Sequence, residues 1–390
     1  MRSSFRISRW ALVVTMLTAS FGIHAQAVPA NYELQWSDTF DGTVLDASKW
    51  NYRVDTKVDN GITGAQLPSN ISVDGSNHMN IALQQQNLGA ATFTGGGIVS
   101  KASFRYGYYE VAAKTTANYG WHSAFWLFAG NGNTTYVTTS STEIDDFEIN
   151  SDPSATSTNI SMGVIEWANG STVSGGSRCS STKQPTFNTD SGYHTYGVEW
   201  TEQTVTYYLD GQSICSQSYP PTQHTHDLVN IWLTAIPYLS GVSVANNPSP
   251  TSFSGVAYYV RDYYIGDNEP GYSEYGSGWG NSALPGYSGL PSRYSCSAGA
   301  TAMWTPTILA AGNYDVQVYQ ITDSGSDHAA QLAVTYSGGT ANKTINFTSG
   351  SSGWVDLGTY SFATGSQGFL TNTNSGNGCT RASMVKFVRT

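Results

Sequence analysis

The sequence predicts an all-β protein built as two consecutive sandwiches, and three observations carry that prediction. From Asn31 to about Asp267, short alternating or aromatic runs recur with Gly, Asn and Asp turns between them, among them MNIALQQ, FRYGYYEVAAK, SAFWLF, HTYGVEW and VNIWLTAIPY. No long helical periodicity separates these runs, so antiparallel pairing is expected. Beyond Asp267 the texture changes to EPGYSEYGSGWGNSALPGYSG, and new strand-like runs follow to the C-terminus. About 120 residues of such runs suffice for an independent small sandwich.

The elements read in order as follows. Arg2, Arg6 and Arg9 precede the apolar run WALVVTMLTASFGI, which ends in the small-residue exit AQA. This is the order of a secretory signal over 1–27, and the run is too short for the ~20 residues a membrane span needs. A secreted or periplasmic protein is expected. Residues 28–267 form the first predicted sandwich, in which TVTYYLDGQSIC places an Asp-Gly step between two strand-like runs, a strong hairpin signal. Residues 268–390 form the second.

Only 11% of the 390 residues are charged, against the ~25% usual for soluble proteins. Lys and Arg total 17 and Asp and Glu 27, a net charge of minus 10. Removal of 1–27 takes three Arg and no acid, which leaves 14 bases against 27 acids, a net of minus 13. No basic cluster follows the first ten residues, which excludes a nucleic-acid partner and disfavours anionic membranes. Abundant Tyr, Trp, Asn and Ser suit an uncharged sugar polymer, whose C–H faces stack on rings and whose hydroxyls need polar neighbours. No CxxC spacing suggests zinc or redox chemistry. Of the three connectivities open to four cysteines, pairing within each predicted sandwich gives Cys179 with Cys215 and Cys296 with Cys379.

The decisive stretch is TEIDDFEIN. Side chains alternate along a strand, so Glu143 and Asp145 share a face while Ile144 and Asp146 take the other. Strict alternation would put Phe147 on the acidic face; a β-bulge at Asp146 and Phe147 returns Glu148 to it. The two Glu backbones then lie roughly 13 Å apart, and inward-leaning side chains can close the carboxylates to the ~5–5.5 Å that retaining glycosidic cleavage uses. That chemistry needs one ionised carboxylate as nucleophile and one protonated acid for the leaving oxygen. Glu143 is assigned the first role, Glu148 the second, and Asp145 between them tunes their protonation. His224 and His226 alternate on one strand face but have no third ligand in view, so no metal site is assigned to them.

EIDDFE resembles the E-x-D-x-x-E signature of glycoside hydrolase family 16, the concanavalin-like family of laminarinases, agarases and carrageenases. LQWSDTFDGTVLDASKWNY, GGGIVSKASFRYGYYEVAAK, GWHSAFWLF, HTYGVEWTEQTVTYYLDGQ and YYVRDYYIGD follow that family's order over residues 31–267. The resemblance implies a jelly-roll β-sandwich with an open cleft and retaining endo-hydrolysis, here of a neutral β-1,3-containing glucan. A galactan-cleaving enzyme of agarase type and a non-catalytic glycan-binding protein are the alternatives. Trp126, Trp121 and His122 are the expected substrate contacts, while Trp167 is assigned to the core. No cofactor is required; the family's structural calcium has one candidate ligand here, Asp262. A monomer with a polysaccharide as its partner is expected. Residues 268–390 resemble golvesin C-terminal-like domains through EPGYSEYGSGW, LPGYSG and AMWTPTILAAGNYDVQVY. Trp304 and Trp354 are expected in that second core.

Overall fold

A computed structural model describes residues 28–130, 140–173, 177–179, 184–219 and 228–390. The signal segment and the His224 and His226 pair lie outside the described residues. Aromatic and β-branched runs become strands throughout, and the only helical pieces among the described residues are two single 3₁₀ turns. No helix among them is long and apolar enough to cross a membrane.

Two sheets, of eight and eleven strands and antiparallel except where Ile62–Gln66 runs parallel to Ala91–Ser100, face each other as a jelly-roll β-sandwich. The larger sheet matters most for function. Its central order runs Ile160–Ala168, Ser140–Asn150, Trp121–Phe128, Asn230–Pro237, Ala91–Ser100. Alternation sends Trp121, Phe125, Leu127, Ile144, Phe147 and Ile149 inward, where they meet Tyr196, Val198 and Trp200 of the smaller sheet. His122, Ala124, Trp126 and Phe128 point outward instead. The glycine run 95–97 permits close strand approach under this outer face: a Cβ on Gly95 would stand 2.1 Å from the Ala235 carbonyl oxygen. The Asp-Gly hairpin forms as expected, with Asp210 and Gly211 both at positive φ between Thr204–Leu209 and Gln212–Ser218.

The C-terminal residues build three further sheets, of four, five and three strands. Trp304 is fully buried there and donates its indole N–H to the Ser383 carbonyl at 3.0 Å. Cys179 is bonded to Cys215 and Cys296 to Cys379. Tyr263–Ile265, which the sequence places in the first sandwich, pairs with Val385–Phe387 and so lies in the second set of sheets.

The two sets of sheets meet at a polar seam. Glu202 accepts hydrogen bonds from Lys386 Nζ (2.7 Å), Trp354 Nε1 (2.8 Å), Tyr287 Oη (2.9 Å) and Tyr264 Oη (3.2 Å). Trp354 is therefore half-buried at the seam rather than sealed in the second core. Arg105 and Glu269 add a part-buried bidentate pair, at 2.7 and 3.1 Å. Burial raises the Glu202 carboxyl, but Lys386 and the Trp354 and Tyr287 donors outweigh it and hold the group below the usual range. A depressed folded-state value gives stability that is complete above the unfolded-state value, about 4.3, and is lost as pH falls through the folded one. Glu202→Ala strands Lys386 and is expected to cost roughly 2–3 kcal/mol, somewhat below a fully buried pair. Denaturant melts at pH 7 and pH 3.5 check both statements, since the difference between wild type and variant must shrink at the lower pH.

Candidate active site

The acid strand Ser140–Asn150 positions the site through one irregularity. Against Trp121–Phe128, Phe125 faces Phe147 and Trp126 faces Asp145, so Asp146 is the extra residue. The same irregularity falls between Asp145, opposite Gly163, and Glu148, opposite Ser161. A bulge of one residue returns Glu148 to the outer face, and Glu143, Asp145 and Glu148 line one cavity of about 200 Å³. Asp146 turns inward between the sheets at 2% exposure, where burial pushes its carboxyl well above the usual range.

Rings floor the cavity. Trp126 stacks on Trp232 at 4.8 Å between centroids and on Phe128 at 5.8 Å. Phe128 reaches the half-buried Trp167 at 6.0 Å. Trp167 donates its indole N–H to Glu143 Oε2 at 2.5 Å. This residue, assigned to the core from sequence, stands in the cleft because Ser141 is its partner across the hairpin, two positions from Glu143. Trp121 is the converse correction. It is fully buried between the sheets and gives its N–H to the Ser243 carbonyl at 2.7 Å, so it cannot touch a substrate in the cavity. Trp126 lies five positions after Trp121, and an odd offset puts them on opposite faces.

His122 is on the cleft side, as expected. Its Nε2 lies 3.3 Å from Glu148 Oε1, its Nδ1 2.9 Å from Asn150 Oδ1, and its ring stacks on Tyr238 at 4.6 Å. Two cations the sequence reading missed, Arg53 and Lys57, line the same cavity. Arg53 is paired with Asp55 at 3.2 Å and Lys57 with Asp59 at 3.4 Å, and the Arg53 guanidinium sits 5.9 Å from the Trp126 ring centre.

Electrostatics distinguish the acids. Burial pushes Glu143 above the usual carboxylate range, and Glu148 adds to this; Trp167, Lys57 and a hydrogen bond with Asp145 pull it back. On the far side of Glu148 a second depression, lined by Tyr119, Asn150, Asp152, Thr158 and Leu239, shares that glutamate.

Asp262 does not fit a cation site. Both carboxylate oxygens accept from Arg261, at 2.6–3.2 Å, and Oδ1 also takes the Arg389 backbone N–H at 2.9 Å. A calcium ion would have to displace a guanidinium. Among the described residues no group of three His, Cys, Asp or Glu could hold a metal.

A jelly-roll sandwich with a bulged carboxylate strand beneath aromatic rings defines a carbohydrate-active class. The chain belongs to glycoside hydrolase family 16: a family model described as the β-porphyranase A–D family 16 domain matches residues 32–242. The golvesin C-terminal domain model matches 264–389. Similar curated proteins include the endo-1,3-1,4-β-glycanase ExsH of Rhizobium meliloti, 30% identical over 151 residues, or 38% of this chain and 29% of that protein. The glucan endo-1,3-β-glucosidase A1 of Niallia circulans is 30% identical over 215 residues, or 50% of this chain and 30% of that protein. The chain thus spans about three tenths of the length of the curated relatives it matches. Among solved structures, a non-specific endo-β-1,3(4)-glucanase of family 16 is 21% identical with a TM-score of 0.48, covering 60% of this chain and 93% of that one.

Proposed function

We propose that the protein is a secreted, monomeric, retaining endo-β-glycanase that hydrolyses a polysaccharide. One observation carries this reading: Glu143, Asp145 and Glu148 face a single ring-floored cavity from one bulged strand. Glu143, whose carboxylate takes the Trp167 N–H, attacks the anomeric carbon while Glu148 protonates the leaving oxygen. Water then resolves the glycosyl–Glu143 ester with Glu148 as base. Glu148 lines depressions on both of its sides, which supports binding in mid-chain and hence endo cleavage. Three carboxyl groups facing one cavity give a purely binding cleft no advantage.

A β-1,3-containing glucan is the first substrate reading, supported by the curated relatives and the ring-rich floor. A galactan of porphyran type is the second. The family model over 32–242 and the two cations beside the acids favour it. Reducing-end release from laminarin, lichenan, agarose, porphyran and carrageenan, run beside Glu143→Gln, separates these readings. A wild-type protein that leaves every glycan intact would sink the enzymatic one.

Trp167→Phe tests the local electrostatics. Loss of the N–H donor raises Glu143 further, so as pH falls the nucleophile is protonated earlier. The acidic limb of kcat/KM is expected to move to higher pH, with a plateau loss of roughly 10- to 100-fold for one charge-assisted hydrogen bond. A pH–rate profile in which that limb stays where wild type has it contradicts the assignment.

A further inference from the structure

We propose that His122 is a positioning residue for the acid/base carboxylate: its Nε2 shares the proton that Glu148 delivers and holds that carboxyl in place for the transfer. This rests on the proposed role of Glu148. The geometry begins with the tautomer. Asn150 Oδ1 can only accept, so the Nδ1 that meets it at 2.9 Å carries the hydrogen. In the neutral ring Nε2 is then a bare acceptor, and it faces Glu148 Oε1 at 3.3 Å. Backbone register makes this arrangement reproducible, because His122 and Asn150 are direct cross-strand partners. Tyr238, stacked at 29° to the imidazole, fixes the ring plane.

A proton between Nε2 and Oε1 has two homes, O–H···N and O⁻···H–N⁺, and both are one-proton states of a single pair. Its removal leaves a nitrogen lone pair against a carboxylate, a repulsive contact that the shared proton relieves. In the first step Glu148 passes this proton to the glycosidic oxygen as the C–O bond breaks and Glu143 bonds to the anomeric carbon. In the second, Glu148 takes a proton from the water whose oxygen displaces Glu143, and the pair is restored. The other charged groups around the imidazole belong to a background that a change at 122 leaves in place. Glu143 and Asp145 lie farther along the acid strand, Arg53 and Lys57 line the same cavity, Asp152 lines the depression on the other side of Glu148, and Asn230–Pro237 contributes Thr234 and Ile236 before Tyr238.

The test is the pH dependence of kcat/KM on whichever glycan the wild type cleaves. His122→Asn is expected to move the basic limb about one unit to lower pH. Asn150→Asp, which favours the imidazolium, is expected to move it to higher pH. A uniform loss of rate with an unmoved limb in both variants overturns the proposal and leaves only a structural role for His122. Nitrogen-15 shifts of the His122 ring in the intact protein give an independent readout: Nδ1–H with an accepting Nε2 agrees, and a neutral Nε2–H tautomer contradicts. Absence of all glycan cleavage by the wild type would instead remove the functional reading, while the tautomer measurement still decides the geometry.

Discussion

Glu143→Gln is expected to reduce glycan hydrolysis by on the order of 10⁴-fold or more while the protein melts within about 1 kcal/mol of wild type. The asymmetry follows from the site. An amide keeps an oxygen for the Trp167 N–H that reaches Glu143 at 2.5 Å, so local packing and one hydrogen bond survive. What disappears is the negative oxygen that must form a bond to the anomeric carbon. Burial already raises Glu143, so removal of its charge relieves a desolvation cost and gives no reason for unfolding. Near-full turnover by the variant would show that Glu143 is not the nucleophile; loss of both turnover and fold would make it a structural residue.

Glu148→Ala is expected to show a different pattern. With a natural polysaccharide, whose leaving oxygen needs a proton, the loss is about 10²- to 10⁴-fold. With an activated aryl β-glycoside the first step no longer needs that proton, so the glycosyl–Glu143 ester forms and accumulates. Added azide, which needs no base, then releases it as the β-glycosyl azide. An α-glycosyl azide, or a loss equal for both leaving groups, contradicts the division of labour between Glu143 and Glu148.

Much of this site was legible in the sequence because the acid strand carries its own geometry. Three acids at that spacing share a face only if one residue bulges, and the structure puts the bulge at Asp146, between sites of pairing at Asp145 and Glu148. The Asp-Gly hairpin was legible for a similar local reason. Trp121 was misread although the odd spacing to Trp126 was in plain view, since indole chemistry outweighed parity. Trp167 was harder. Its place beside Glu143 depends on the register of a hairpin whose connection, 151–159, gives no length rule from which to count. Asp262 lost its candidacy to the adjacent Arg261 and to the backbone of Arg389, a residue 127 positions away. The Glu202 cluster joins residues up to 184 positions apart, and no local pattern announces such a contact. Arg53 and Lys57 escaped notice because each has a nearby acid, so each reads as an ordinary surface pair until the fold brings it to the cleft.

The stereochemistry of cleavage distinguishes double displacement through Glu143 from direct attack by water. Proton NMR of the new reducing ends, recorded within the first minutes on the glycan that wild-type protein depolymerises fastest, reads that outcome before mutarotation. The β-anomer is expected first, as double displacement through Glu143 requires. Initial release of the α-anomer would mean that water attacks directly, and the nucleophile assigned to Glu143 would be wrong.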